Sequence, residues 1–182
     1  MKFSRQTTLR SQATVTGIGV HSGAPVNLTI GPAPIDAGFV FVRTSPEGHD
    51  RAIQATARAV TATAFATVLG DRDGPMVSTA EHVLAALRGM GVDNATIEVD
   101  GPEVPIMDGS AACFVQKMVA AGLRQLPGPR RAIRVLDAVR VQQGEAWAEI
   151  SPAPVLRIGF EIDFADKAIG RQAKAMDIVN GV

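Results

Sequence analysis

Between residues 14 and 42, apolar and polar residues alternate in three runs, T-V-T-G-I-G-V-H-S-G, P-V-N-L-T-I-G-P-A-P and G-F-V-F-V-R-T. A period of two with Gly and Pro at the boundaries is the signature of half-buried strands, and it predicts an antiparallel meander here. Residues 52–69, rich in Ala, Thr and Val, fit strand or helix by pattern and are read as strands and turns. The pattern changes at 78–87, where S-T-A-E-H-V-L-A-A-L joins good helix formers to a Ser78-x-x-Glu81 capping spacing, with Gly89 and Gly91 as stops. Residues 94–99 return to alternation, and the proline-punctuated loop G-P-E-V-P-I-M-D-G-S leads to a second helix over 111–121, closed by Gly122. Residues 1–127 are thus expected to be an α+β domain, a two-layer sandwich of antiparallel sheet and helices. A Pro-, Gly- and Arg-rich linker, L-P-G-P-R-R at 126–131, ends it.

Beyond the linker the chain repeats itself. The run 144–162, G-E-A-W-A-E-I-S-P-A-P-V-L-R-I-G-F-E-I, resembles 23–41, G-A-P-V-N-L-T-I-G-P-A-P-I-D-A-G-F-V-F. Each leads from Gly through an alternating strand to Ile, a spacer, Pro-Ala-Pro and then Gly-Phe. Read as a duplication, residues 128–182 are a linker and the opening strands of a second, incomplete domain of the same fold. Without covering helices its apolar face has few ways to be buried, which predicts low stability for that part.

Composition narrows the function classes. Eighteen basic residues cancel eighteen acidic ones, so the broad positive field of a nucleic-acid binder is absent and no nucleic-acid partner is expected. The lone Cys113 cannot form an internal disulfide, the first nine residues lack a signal-peptide core, and no apolar run approaches the roughly 20 residues of a membrane span. The expectation is a soluble cytoplasmic protein.

The strongest chemical candidate is Glu81 beside His82. Imidazole is a good zinc ligand, and an adjacent carboxylate can take a proton from metal-bound water. The plain alternative is that Glu81 only caps the helix and His82 is an ordinary half-buried histidine. The arrangement is not H-E-x-x-H, since Ala86 stands where the second histidine belongs. His21, in a glycine-punctuated turn, is read as a local hydrogen-bonding residue, and His49, in E-G-H-D-R, as a solvated one. Asp108 reads as a helix cap, Phe65 and Leu69 as core, Trp147 as a packing residue and Cys113 as structural.

Taken together, T-G-I-G-V-H-S-G (16–23), S-T-A-E-H-V-L-A-A-L (78–87), G-V-D-N (91–94) and G-P-E-V-P-I-M-D-G-S-A (101–111) resemble, in order and spacing, the first half of the UDP-3-O-acyl-N-acetylglucosamine deacetylases. W-A-E-I (147–150) and the A-I-G-R-Q to M-D-I-V-N-G stretch (168–181) extend the likeness over nearly the whole chain. The resemblance implies two packed α+β domains with the active site between them. It also implies a Zn²⁺ enzyme that removes the N-acetyl group from a UDP-linked acylated glucosamine in lipid A synthesis, touching the inner membrane at most peripherally through its substrate. It makes His82 a zinc ligand and Glu81 the general base.

The family's other two zinc ligands come from an H-K-x-x-D motif of the second domain, and a later histidine assists. Neither motif nor histidine follows His82 in this chain. A fragment of the deacetylase is therefore expected, and a non-catalytic binding or regulatory module built on its first domain is the competing expectation.

Overall fold

The structure is a computed structural model and describes residues 5–44, 50–71 and 74–178. Contacts divide the chain into two units, Met1–Arg131 and Ala132–Val182.

In the first unit the alternating runs become β2 (Ala13–Ile18), β3 (Pro25–Pro32) and β4 (Phe39–Arg43), preceded by β1 (Arg5–Leu9) and followed by β5 (Arg51–Gln54). β2 and β3 form the expected hairpin. The meander stops there, however, because β9 (Ala95–Val99) lies between β3 and β4, antiparallel to the first and parallel to the second. The sheet order is therefore β2-β3-β9-β4-β5. Alternation fixes which face a strand buries and says nothing of which strand lies beside it, so the insertion could not be read from the pattern. Val26, Leu28 and Ile30 of β3, Phe41 of β4 and Ile97 of β9 turn to the same core.

Two helices cover that face, α1 (Glu81–Gly89) through Val83, Ala86 and Leu87, and α2 (Ala112–Ala121) through Phe114, Met118 and Ala121. Spacings of three and four residues put each set on one helix face. At roughly 1.5–3 kcal/mol for each large apolar side chain fully buried, this layer is the main source of stability. Gly122 ends α2 at φ +72°, as its position predicted. The α+β reading of the sequence holds.

Three local expectations are corrected. α1 begins at Glu81 with Ala80 as its uncapped N-cap, so Ser78 and Glu81 form no capping box. Ser78 is taken instead by a bridge to Glu103, and Thr79 turns the chain at φ +59°. The start of the supposed linker is β10 (Leu123–Pro129), paired with β1, and Arg130 behind it is pinned by Asp93 at 3.0 Å. Phe65 is 96% exposed at φ +60°, whereas Leu69 is core as expected. Phe65 sits at the tip between β6 (Val60–Ala62) and β7 (Val68–Gly70), which with β8 (Met76–Val77) make a small sheet of their own.

The second unit consists of two hairpins, β11 (Val139–Gln143) with β12 (Ala146–Ile150), and β13 (Leu156–Asp163) with β14 (Arg171–Ile178). Each is a two-stranded sheet by itself, and every residue of all four strands is exposed. Trp147 is thus no core residue; its ring lies 4.1 Å from the Arg140 guanidinium. Among the described residues the second unit holds these two hairpins and no further strand.

Candidate active site

The Glu-His pair sits at the N-terminus of α1, where the free amides of the first turn favour an acidic side chain. His82 Nε2 lies 4.0 Å from Glu81 Oε1, with side chains 26% and 40% exposed respectively. Glu81 Oε2 accepts the Thr67 amide at 3.0 Å, and the Ala80 amide donates to the Thr67 carbonyl at 3.2 Å. The β6–β7 tip and the helix start are therefore stitched together, with one carboxylate oxygen engaged and the other turned toward the imidazole.

Just before the pair, Thr79 places a β-branched residue in the left-handed region, which only strong surrounding contacts sustain. Its hydroxyl donates to Glu103 Oε1 at 2.9 Å. Glu103, 2% exposed, also accepts the Ser22 amide at 2.8 Å and the His21 amide at 3.0 Å. Burial pushes this carboxyl up, but hydrogen bonds from Ser22, His21 and Thr79 outweigh it and hold it below the usual carboxylate range. The turn is pressed close: a Cβ on Gly19 would collide with the Glu103 carboxylate and the Ser22 hydroxyl, and one on Gly17 would come within 2.9 Å of Pro105 Cβ. Three sequence motifs, those around His21, Ser78 and Glu103, thus meet at one buried carboxylate.

His21 acts through its backbone, as a turn residue would, and its side chain is exposed. His49 lies outside the described residues. Among the described residues no three His, Cys, Asp or Glu side chains come together as a metal cluster. Asp108 caps no helix; it accepts the Ser110 amide at 3.0 Å and the Ser110 hydroxyl at 2.9 Å, which lower its pKa, within an Asp-x-Ser turn. Cys113 is free and half-buried. The G-V-D-N motif is architectural: Asp93 accepts the Thr7 amide at 2.9 Å, and the buried Asn94 joins Gly38 to Gln6 through bonds of 2.9 Å each. Sequence reasoning missed Glu103, whose place between Pro102 and Pro105 reads as loop; the only hint was the pair of glycines at 17 and 19, which ask for something packed closely against that turn.

The family model for UDP-3-O-acyl N-acetylglycosamine deacetylase (LpxC) matches residues 6–181. The chain belongs to that family. A UDP-3-O-acyl-N-acetylglucosamine deacetylase of Phenylobacterium zucineum is 47% identical over 168 residues, covering 92% of this chain and 57% of the relative. One of Shewanella baltica is 45% identical over 168 residues, covering 91% and 54%. The chain thus spans little more than half the length of these deacetylases. No helix among the described residues is long and apolar enough to cross a membrane.

Proposed function

We propose that this chain is the first part of a zinc-dependent deacetylase that removes the N-acetyl group from UDP-3-O-acyl-N-acetylglucosamine in lipid A synthesis, in the cytoplasm. The observation that carries the reading is the Glu81–His82 pair, with Oε1 and Nε2 4.0 Å apart at a half-open helix start. Family membership and the names of the relatives supply the substrate class.

The residues fit a share of a zinc site only. His82 offers one imidazole, and a catalytic zinc takes three protein ligands. When bound, zinc would polarise the amide carbonyl and acidify a water. This chain's own part is narrower. Glu81 Oε1, beside the imidazole, accepts the proton from the water that attacks the acetyl carbon, while Oε2 stays anchored on the Thr67 amide and keeps the carboxylate from turning away. The two further ligands that the resemblance implies come from an H-K-x-x-D motif, which is not among this chain's residues.

The test compares this chain with a chimera that joins it to the unmatched part of the Phenylobacterium relative. Zinc content after dialysis and acetate release from the UDP-linked substrate are measured in each, with Glu81→Ala and His82→Ala variants. The chimera should hold zinc and release acetate, losing about 10²-fold or more of its rate in Glu81→Ala and its zinc in His82→Ala. The chain alone should do neither. Undiminished acetate release by the Glu81→Ala chimera would remove Glu81 from its role, and tight stoichiometric zinc on the chain alone would show that other residues complete a site.

A further inference from the structure

We infer that Glu103 is the positioning residue of this site: its buried carboxylate locks Thr79 in the left-handed conformation that aims Glu81 and His82, and ties the His21 turn to the same point. The inference rests on reading Glu81–His82 as the functional pair, but its evidence is separate.

A buried carboxylate with no cation is costly unless donors satisfy it fully. Among the described residues Glu103 has no ion-pair partner, and it is met instead by two backbone amides and by the hydroxyls of Thr79 and Ser22. Its backbone is fixed as well. The Ser78 amide donates to the Pro102 carbonyl at 2.9 Å, and the Val104 amide to the Ser78 carbonyl at 3.0 Å. That short parallel bridge places the carboxylate beside Thr79, the one residue between Ser78 and the helix that must turn with positive φ. A threonine left to itself would leave this conformation, since its Cβ crowds the backbone there. The 2.9 Å bond from its hydroxyl to Oε1 is the contact that holds it.

Rotation at residue 79 swings everything after it. Glu81 would lose the Thr67 amide, and the pair would no longer face the β6–β7 tip. An ordinary core residue would instead lower the stability of the whole unit evenly.

The experiment uses the full chain and four variants, Glu103→Ala, Glu103→Gln, Thr79→Gly and the double variant Glu103→Ala/Thr79→Gly. NMR follows the backbone shifts of residues 79–82, the His82 ring shifts, and amide exchange at Thr67 relative to β9. In Glu103→Ala, residue 79 should take right-handed shifts and Thr67 exchange should rise at least tenfold more than that of β9. Glycine adopts positive φ without the threonine's penalty. The double variant should therefore regain most of the Thr67 protection and the His82 shifts. Should Glu103→Ala not fold, Glu103→Gln, which keeps the volume but turns an amide group on the donors, should give the same local pattern. Even loss of protection across β9 and Thr67, or no recovery in the double variant, would reduce Glu103 to a general stabiliser. Failure of the deacetylase reading in the chimera would leave these shifts unchanged, so the two ideas fail separately.

Discussion

Glu81 Oε2 accepts the backbone amide of Thr67 at 3.0 Å, so the candidate base is also a structural clasp between α1 and the β6–β7 tip. The two roles separate chemically. Glu81→Gln keeps an oxygen that accepts the Thr67 amide but has no basic oxygen to take a proton. We expect it to preserve the slow exchange of the Thr67 amide and to lose deacetylation in the chimera. Glu81→Ala should lose both, at a stability cost of about 1 kcal/mol, since the clasp is half exposed. Exchange rates and acetate release on the two variants decide the matter; fast exchange at Thr67 in Glu81→Gln would show that the clasp needs the charge.

Glu103 gives the first unit a dependence on acid. Its folded pKa is depressed, so the stability it confers is fully present above its unfolded value of ~4.3 and is lost as pH falls through the folded value. Urea unfolding from pH 6 down to pH 3 should show the gap between wild type and Glu103→Gln holding steady at first and narrowing once the pH falls below about 4.3. A gap that stays constant would mean the carboxylate is no better held in the folded chain than in the unfolded one.

Asp93 offers a contrast between a clamp and a surface pair. Its carboxylate, 11% exposed, binds the Thr7 amide and Arg130, fastening β1 and the end of β10 to the loop before β9. Asp93→Ala should cost about 2–3 kcal/mol, because it leaves an amide and a half-buried guanidinium without their acceptor. Arg88 also reaches Asp93, at 3.7 Å, but is 68% exposed. With its stacking over Phe39 at 4.9 Å included, Arg88→Ala should cost at most about 1 kcal/mol. Chemical denaturation of both variants orders the two effects.

Amide exchange should divide the chain at its two units. The amides of β3 and β9 lie in a five-stranded sheet under helices, whereas among the described residues β11 to β14 have one partner strand each and are exposed throughout. Exchange in the second unit should be faster by several orders of magnitude. Equal protection would show that something buries those strands in solution.

The sequence made some of this legible and hid the rest for physical reasons. Alternation located β2, β3 and β4, because burial on one face must recur every second residue. It could not reveal β9 between them, since pairing is a long-range choice made by the backbone. Gly122 announced the end of α2 because only glycine suits φ +72° there without strain. The start of α1 was misplaced because Thr79 adopts a conformation its residue type disfavours, sustained by a carboxylate 24 positions away. Glu81 and His82 stood out by chemistry. Glu103 did not, because burial is invisible in a residue flanked by prolines.

The bare hairpins of the second unit also govern how the chain behaves as a sample. Among the described residues each of these strands has a partner on one side only, which leaves an outer edge of amides and carbonyls open to pairing. β13 and β14 are the more exposed to this hazard: each edge is eight residues long, and Leu156, Ile158 and Phe160 alternate along one of them. Salt bridges from Arg157 to Asp177 and from Arg171 to Glu161 tie its two strands to each other, one toward each end of the hairpin. Strand addition between copies is the natural fate of such edges. Light scattering on the purified chain should therefore report a mass that climbs with concentration, until some other polypeptide takes those edges first.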